Sequence, residues 1–217
     1  MSKELLVVGA GGMGRELWCY LEQKAKADAD FAREYRLKGF LDDNPHALDR
    51  FNYPAGIVGS ISEYTASPDE LLVCALGAPE VKARVCPLLK ERGAQFYTFI
   101  HPTALVAPTA VLGEGTVVAP FVHVSADVQA GAFVLFNCHS NAGHDARLGD
   151  YSTLSSYCEL TGGVELGERV FMGSHASVIP GRRVGEGVRI GAGSIVINHI
   201  PAGRRVFGVP AKPFMKQ

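Results

Sequence analysis

The chain has 217 residues, 47% hydrophobic and 20% charged, with 21 Lys and Arg against 22 Asp and Glu for a net charge of −1. That length allows one large domain or two small ones. Balanced, scattered charge predicts no nucleic-acid partner, and the lack of an apolar run of about eighteen residues predicts no membrane span.

The N-terminus, Met1-Ser2-Lys3-Glu4, leads straight into an apolar run without signal-peptide character, which predicts a cytoplasmic protein. Residues 5–8 are a short apolar strand. It runs into Gly9-Ala10-Gly11-Gly12-Met13-Gly14 and a helical stretch over 15–27. A second strand over 38–41 ends in the turn-forming cluster Asp42-Asp43-Asn44-Pro45. Residues 57–64 read as an irregular segment. A third strand over 70–76 closes at Gly77, and a helix over 79–92 carries Pro79 in its first turn. A fourth strand over 96–100 delivers the chain to its second half. Alternating strands and helices predict a small Rossmann-like α/β domain over 1–99 with a parallel sheet. Cys19, Cys74, Cys86, Cys138 and Cys158 lack CxxC spacing and are expected to be buried, reduced thiols.

From Ile100 to Ala202 every sixth residue is apolar, eighteen positions without a break. At 47% hydrophobic composition such a run arises by chance about once in a million. Four places beyond each, the residue is small or β-branched, Arg182 excepted, and the next residue is Gly in half of the hexads. Period six fits neither a helix nor an amphipathic strand. It fits short strands joined at tight corners, as in a parallel β-helix whose coils stack and bury one another. Three hexads make one triangular coil, so residues eighteen apart lie above one another. The period leaves handedness open. The solenoid is expected over 100–207, with 208–217 as a tail that caps or crosses the last coil.

Gly9-x-Gly11-x-x-Gly14 after a strand and before a helix suits a phosphate, because a helix N-terminus presents free N–H groups. A tight turn without a ligand fits the same residues. Asp42-Asp43 and Gly77 end strands on the same sheet edge, where open α/β sheets bind ligands. The domain is too short for a complete dinucleotide site, so a mononucleotide or nucleotide sugar fits better.

Among the histidines, His46 falls in a turn, and His101, His123 and His199 fall at outward positions of the repeat. His139, Tyr157 and His175 share a column and predict a stacked outward ladder. The spacing for a zinc site shared between subunits is incomplete, with Thr103 and Pro180 where imidazoles are needed, so no metal is expected. His144 differs from the others. It precedes Asp145, faces outward, and shares its column with Ala126 and Gly162, small residues that leave a groove around the ring. An imidazole beside a carboxylate can take a proton near neutral pH.

Four features together resemble the bacterial sugar acetyltransferases built on a left-handed parallel β-helix. They are the hexads, the His144-Asp145 pair, the closing Gly208-Val209-Pro210-Ala211-Lys212 and the Gly-rich N-terminal turn. The similar subgroup comprises nucleotide-aminosugar N-acetyltransferases and sialic acid O-acetyltransferases, and the resemblance covers essentially the whole chain. It implies a homotrimer with acetyl-CoA as co-substrate between adjacent β-helices. It also implies His144 as general base and Asp145 as the partner that raises its basicity. By the same resemblance Gly11, Gly12, Met13, Asp42, Asp43 and Gly77 contact a nucleotide sugar, Asn137 lines the acceptor site, and Thr153, Ser174 and Ala192 contact acetyl-CoA. Many relatives carry His at the place of Met13, and some carry His at that of Thr153. The leading expectation is N-acetylation of a nucleotide-linked deoxyamino sugar, such as a 4-amino-4,6-dideoxyhexose. The alternatives are O-acetylation of a sialic or related sugar hydroxyl, and a non-catalytic nucleotide-sugar-binding scaffold.

Overall fold

The computed structural model describes residues 2–214, so Met1 and the last three residues of the expected tail lie outside the described residues. The first part is a four-stranded parallel sheet. Strand β1 (Lys3–Val8) lies between β2 (Tyr35–Leu41) and β4 (Glu70–Cys74), and β3 (Ile57–Gly59) edges β2. Helices cover both faces, so Leu5 to Val8 are buried on either side, as an uninterrupted apolar run requires. Helix α1 (Gly12–Ala27) packs Leu17, Trp18 and Leu21 on one face, with Trp18 stacked on Phe40 at 4.8 Å. Helix α2 (Ala29–Glu34) follows, started by the Asp28 carboxylate, which accepts from the N–H groups of Asp30 and Phe31. Helix α3 (Pro79–Glu91) covers the other face through Cys86 and Leu89.

Two elements differ from the pattern expected of the sequence. The fourth strand of the sheet is β3, inside the segment expected to be irregular. Of residues 96–100, only Phe96 bridges this sheet, to Leu72, whereas Phe99–Ile100 already pairs with Val117–Val118 in the solenoid.

The solenoid has three parallel sheets whose partners are eighteen apart, for example Leu135↔Thr153, Asn141↔Glu159 and Arg147↔Glu165. The side chains at every sixth position fill the interior from Val118 to Val196. The outward residues give each face its character. On the covered face, Phe99, Val117 and Leu135 join the core beneath α1, so the α/β half sits on the solenoid. The open face carries His123, Asn141, Glu159 and Ser177, and the polar face Gln129, Arg147, Glu165 and Arg183. Going round a coil, the chain passes from covered to open to polar face. Three corners result: a first near Cys138, a second near His144 and a third near Phe133.

The hexad phase ends one step early. Ala202 is exposed, not inward. Val184 bridges Ile200 and Ile190 pairs with Val206, offsets of sixteen. The last coil is two residues shorter than the others, and Ile200 takes the place expected of Ala202. Residues Lys212–Pro213 turn back antiparallel to Val206–Phe207, and the Ala211 N–H donates to Ile195 O at 2.7 Å, which closes the end of the prism.

Candidate functional site

The Gly-rich turn is built by close approach and by a latch. Gly9 has φ +95°, and a side chain at Gly14 would collide with the Gly9 carbonyl, so both glycines are required by the turn itself. Gly11 and Gly12 are different. They are exposed, and a methyl on either would meet no atom closer than 4.0 Å. Gly11 caps α1 without a side-chain bond, and the first turn holds no acidic residue. The turn therefore presents free backbone N–H groups and open space, which suits an anion. Met13 is half-buried against the core around α1.

The two aspartates have separate tasks. Asp42 Oδ2 accepts from Ala10 N–H at 2.7 Å and Oδ1 from Asn44 N–H at 2.9 Å, so this carboxylate latches the Gly-rich turn to the end of β2. Asp43 is exposed. Its Oδ1 accepts from the Ser60 hydroxyl at 2.6 Å and Ser62 N–H at 2.8 Å, and these bonds hold its carboxyl below the usual range. Asp43 bounds a cavity of about 220 Å³ with Ser62, Arg84, Leu88 and Arg92. Gly77 ends the β4 segment, and its carbonyl accepts from Thr153 Oγ1 at 2.9 Å. Thr153 is thus buried on the covered face, beside the Gly77 edge of the sheet.

Asn137 starts the first corner, and its Oδ1 accepts from Cys138 N–H at 2.7 Å, leaving its Nδ2 group to point elsewhere. Tyr20 on α1 bonds Cys138 Sγ at 3.2 Å, tying this corner to the α/β half. Ser174 and Ala192 lie eighteen apart on the same corner, Ser174 half-buried and Ala192 exposed. Beside them runs the ladder of His139, Tyr157 and His175, with centroids 4.7 and 4.8 Å apart. Phe121 extends it by one ring at 4.9 Å. Its eighteen-residue offset from His139 was the available signal.

His144 stands on the second corner, across the open face. Its Nδ1 lies 2.7 Å from Asp145 Oδ2. A carboxylate only accepts, so Nδ1 carries the proton and Nε2 keeps its lone pair. The ring lies over Gly162, where a methyl would meet Nε2 at 2.5 Å. Both side chains are exposed, 70% and 64%. Within one chain the site residues therefore form two groups. In one, Thr153 on the covered face bonds Gly77, while Asn137, Ser174 and Ala192 lie at the first corner, and the Gly-rich turn and Asp43 stay within the α/β half. His144 and Asp145 stand on another corner.

His101 stands at an outward position of the repeat but is covered there by helix α1. It is 4% exposed, with Nε2 at 2.8 Å from Gln23 Oε1 on α1 and Nδ1 accepting from Thr103 N–H. The docked helix buries it, which the repeat register could not show. Among the described residues no three His, Cys, Asp or Glu side chains converge as a metal site, and no helix is long and apolar enough to cross a membrane.

Comparison with known proteins bears on this arrangement. Residues 4–88 match the family model of the PglD N-terminal domain. The chain is 29% identical over 158 residues to the GDP-perosamine N-acetyltransferase of Escherichia coli O157:H7, covering 72% of this chain and 69% of that one. It is 33% identical over 120 residues to the UDP-N-acetylbacillosamine N-acetyltransferase of Bacillus subtilis (strain 168), covering 54% of this chain and 51% of that one, about half its length. The crystal structure of PerB from Caulobacter crescentus in complex with CoA and GDP-perosamine superposes with a TM-score of 0.84 at 28% identity, over 98% of this chain and 97% of that one.

Proposed function

Taking as premise a chain homologous to the perosamine and bacillosamine N-acetyltransferases, and itself an acyltransferase of their β-solenoid kind, we propose that it transfers the acetyl group of acetyl-CoA to the amino group of a nucleotide-linked deoxyamino sugar, such as a 4-amino-4,6-dideoxyhexose, in bacterial glycan biosynthesis. The Rossmann-like half, residues 1–99, holds the nucleotide through the open amides of Gly11 and Gly12, the Asp43 carboxylate and Gly77, with Met13 beside them. Asp42 keeps the turn in shape. The left-handed β-helix of residues 100–207 holds acetyl-CoA along its first corner, at Ser174 and Ala192, with Asn137 facing the acceptor and Thr153 buried on the adjoining face, where it supports Gly77 instead of touching the cofactor.

The observation that carries the chemistry is the His144–Asp145 pair over Gly162. The sugar amine attacks the thioester carbonyl, and Nε2 of His144 takes the proton that the nitrogen sheds. Asp145 steadies the resulting imidazolium. The C–S bond breaks, and the proton passes to the departing thiolate of CoA. Because His144 lies one face away from the other site residues in its own chain, it serves the neighbouring copy. A homotrimer with parallel solenoid axes brings the second corner of one chain to the first corner of the next. The setting is the cytoplasm, where acetyl-CoA and nucleotide sugars meet.

Labelled acetyl-CoA offered with 4-amino and hydroxyl acceptors tests this. Transfer to the amine is expected, and transfer to hydroxyl acceptors alone overturns it. The relatives divide between GDP- and UDP-sugars, so thermal shifts with GDP-, UDP- and dTDP-sugars identify the base. A ligand at a hundred times its Kd adds about 2.7 kcal/mol. Light scattering tests the trimer, and a monomer with full activity would remove the shared site.

A further inference from the structure

Three polar ties from the start of α3 and the loop before it meet the solenoid. Thr153 bonds the Gly77 carbonyl at 2.9 Å. Arg189 pairs with Glu80 at 2.6 Å. Lys82 is buried to 1% exposure and donates from Nζ to Phe133 O at 2.7 Å and to Ser152 O at 3.0 Å. The third is unusual. An ammonium inside a protein is costly unless paired with a carboxylate, and burial pushes the Lys82 pKa down to about 8, with only the Cys74 and Cys86 thiols as titratable neighbours acting on it. A Met or Leu would fill the same space without that cost.

Lys82 supplies the donor that Phe133 O receives, but Ser152 O does not depend on it. Ser152 O already accepts from Leu135 N–H at 2.9 Å. What Lys82 adds is direction. Its two acceptors lie nineteen residues apart, on successive coils at the third corner, so two short charge-assisted bonds fix Nζ relative to the solenoid. Lys82 follows Gly77 by five residues and stands on the helix that opens directly from that edge.

The geometry points to Lys82 as a positioning residue for acetyl transfer: it pins the first turns of α3, and with them the Gly77 edge that holds the nucleotide, at one angle above the acetyl-CoA corner. This rests on the function proposed above. Lys82 touches neither substrate. It acts because the acceptor is gripped by one half and the acyl group by the other. Reaction between groups held on two bodies is steep in their mutual placement, where an ångström of slack can cost about a hundredfold.

The test is Lys82→Met in the full chain, which keeps the stem and removes the donors. Affinities for GDP, UDP and acetyl-CoA, by calorimetry, should stay within about twofold of wild type, because each half is intact. The kcat with GDP-perosamine and acetyl-CoA should fall about ten- to a hundredfold. Hydrogen exchange should quicken over residues 77–83 and not in β1. Glu80→Gln, on an exposed pair in the same turn, guards against a variant that does not fold and should lower kcat about threefold. A residue that only stabilised the fold would reduce the folded fraction and leave kcat per folded molecule unchanged. Wild-type kcat in folded Lys82→Met overturns the inference, as does a loss of nucleotide affinity equal to the loss in kcat. Failure of the wild type to acetylate any amine would instead overturn the function, and the exchange pattern would still decide the pin.

Discussion

The two halves offer their chemistry in opposite ways. The α/β half offers backbone: Gly11 and Gly12 leave amides bare, while Asp42 is used up holding their turn. The solenoid offers a side chain: His144 stands on a corner with one partner and an open face. Grip can be supplied by amides fixed in a turn, since a phosphate needs only donors that do not move. Proton transfer cannot, because no backbone group titrates near neutral pH. On the proposed function the reaction needs both halves, and substitutions in each should fail differently.

The largest effect is expected at the side chain. His144→Ala should lower kcat by about a hundredfold or more, with nucleotide affinity unchanged. Steady-state kinetics beside calorimetry decide it, and equal loss of binding and turnover would erase the division between the halves. Gly14→Ala comes next. Its methyl meets the Gly9 carbonyl, so the cost is on the order of 3 kcal/mol and the Tm falls by roughly 10 °C. Gly11→Ala sharpens the contrast three residues away. Its methyl enters open space, so stability should hold within about 0.5 kcal/mol. Nucleotide affinity should fall about tenfold as the methyl blocks the amides. A Gly11→Ala protein that binds as well as wild type would mean that no phosphate approaches there.

How much of this was legible follows the same line. The solenoid is written locally: each residue's place depends on those eighteen away, so the interior column and the outward His144 could be read directly. The shortened last coil could not, because Ala202 prolongs the apolar pattern past the point where the backbone abandons it. Helix α2 had a signal in Asp28, an acceptor two and three residues before the N–H groups it caps. Asp42 could be found but not its task, since its acceptor role for Ala10 depends on two strands meeting. Lys82 had no signal at all. On the helix surface it is one charge among several, and only docking of the solenoid buries it.

The smallest expected effect lies where the halves join, and it contrasts two imidazoles. His144 is exposed, and His101 is buried between Gln23 of α1 and Thr103 of the first coil. Burial pushes His101 below its ordinary value of 6.5. The Lys24 cation nearby disfavours a proton on the ring as well. As pH falls below about 6.5 the unfolded chain binds a proton that the folded chain refuses, so stability present above that pH is lost with a slope of up to about 1.4 kcal/mol per pH unit. Urea midpoints at pH 7, 6 and 5 should decline more steeply in wild type than in His101→Gln, which cannot titrate. Parallel declines would mean that the seam between the halves contributes nothing to acid sensitivity.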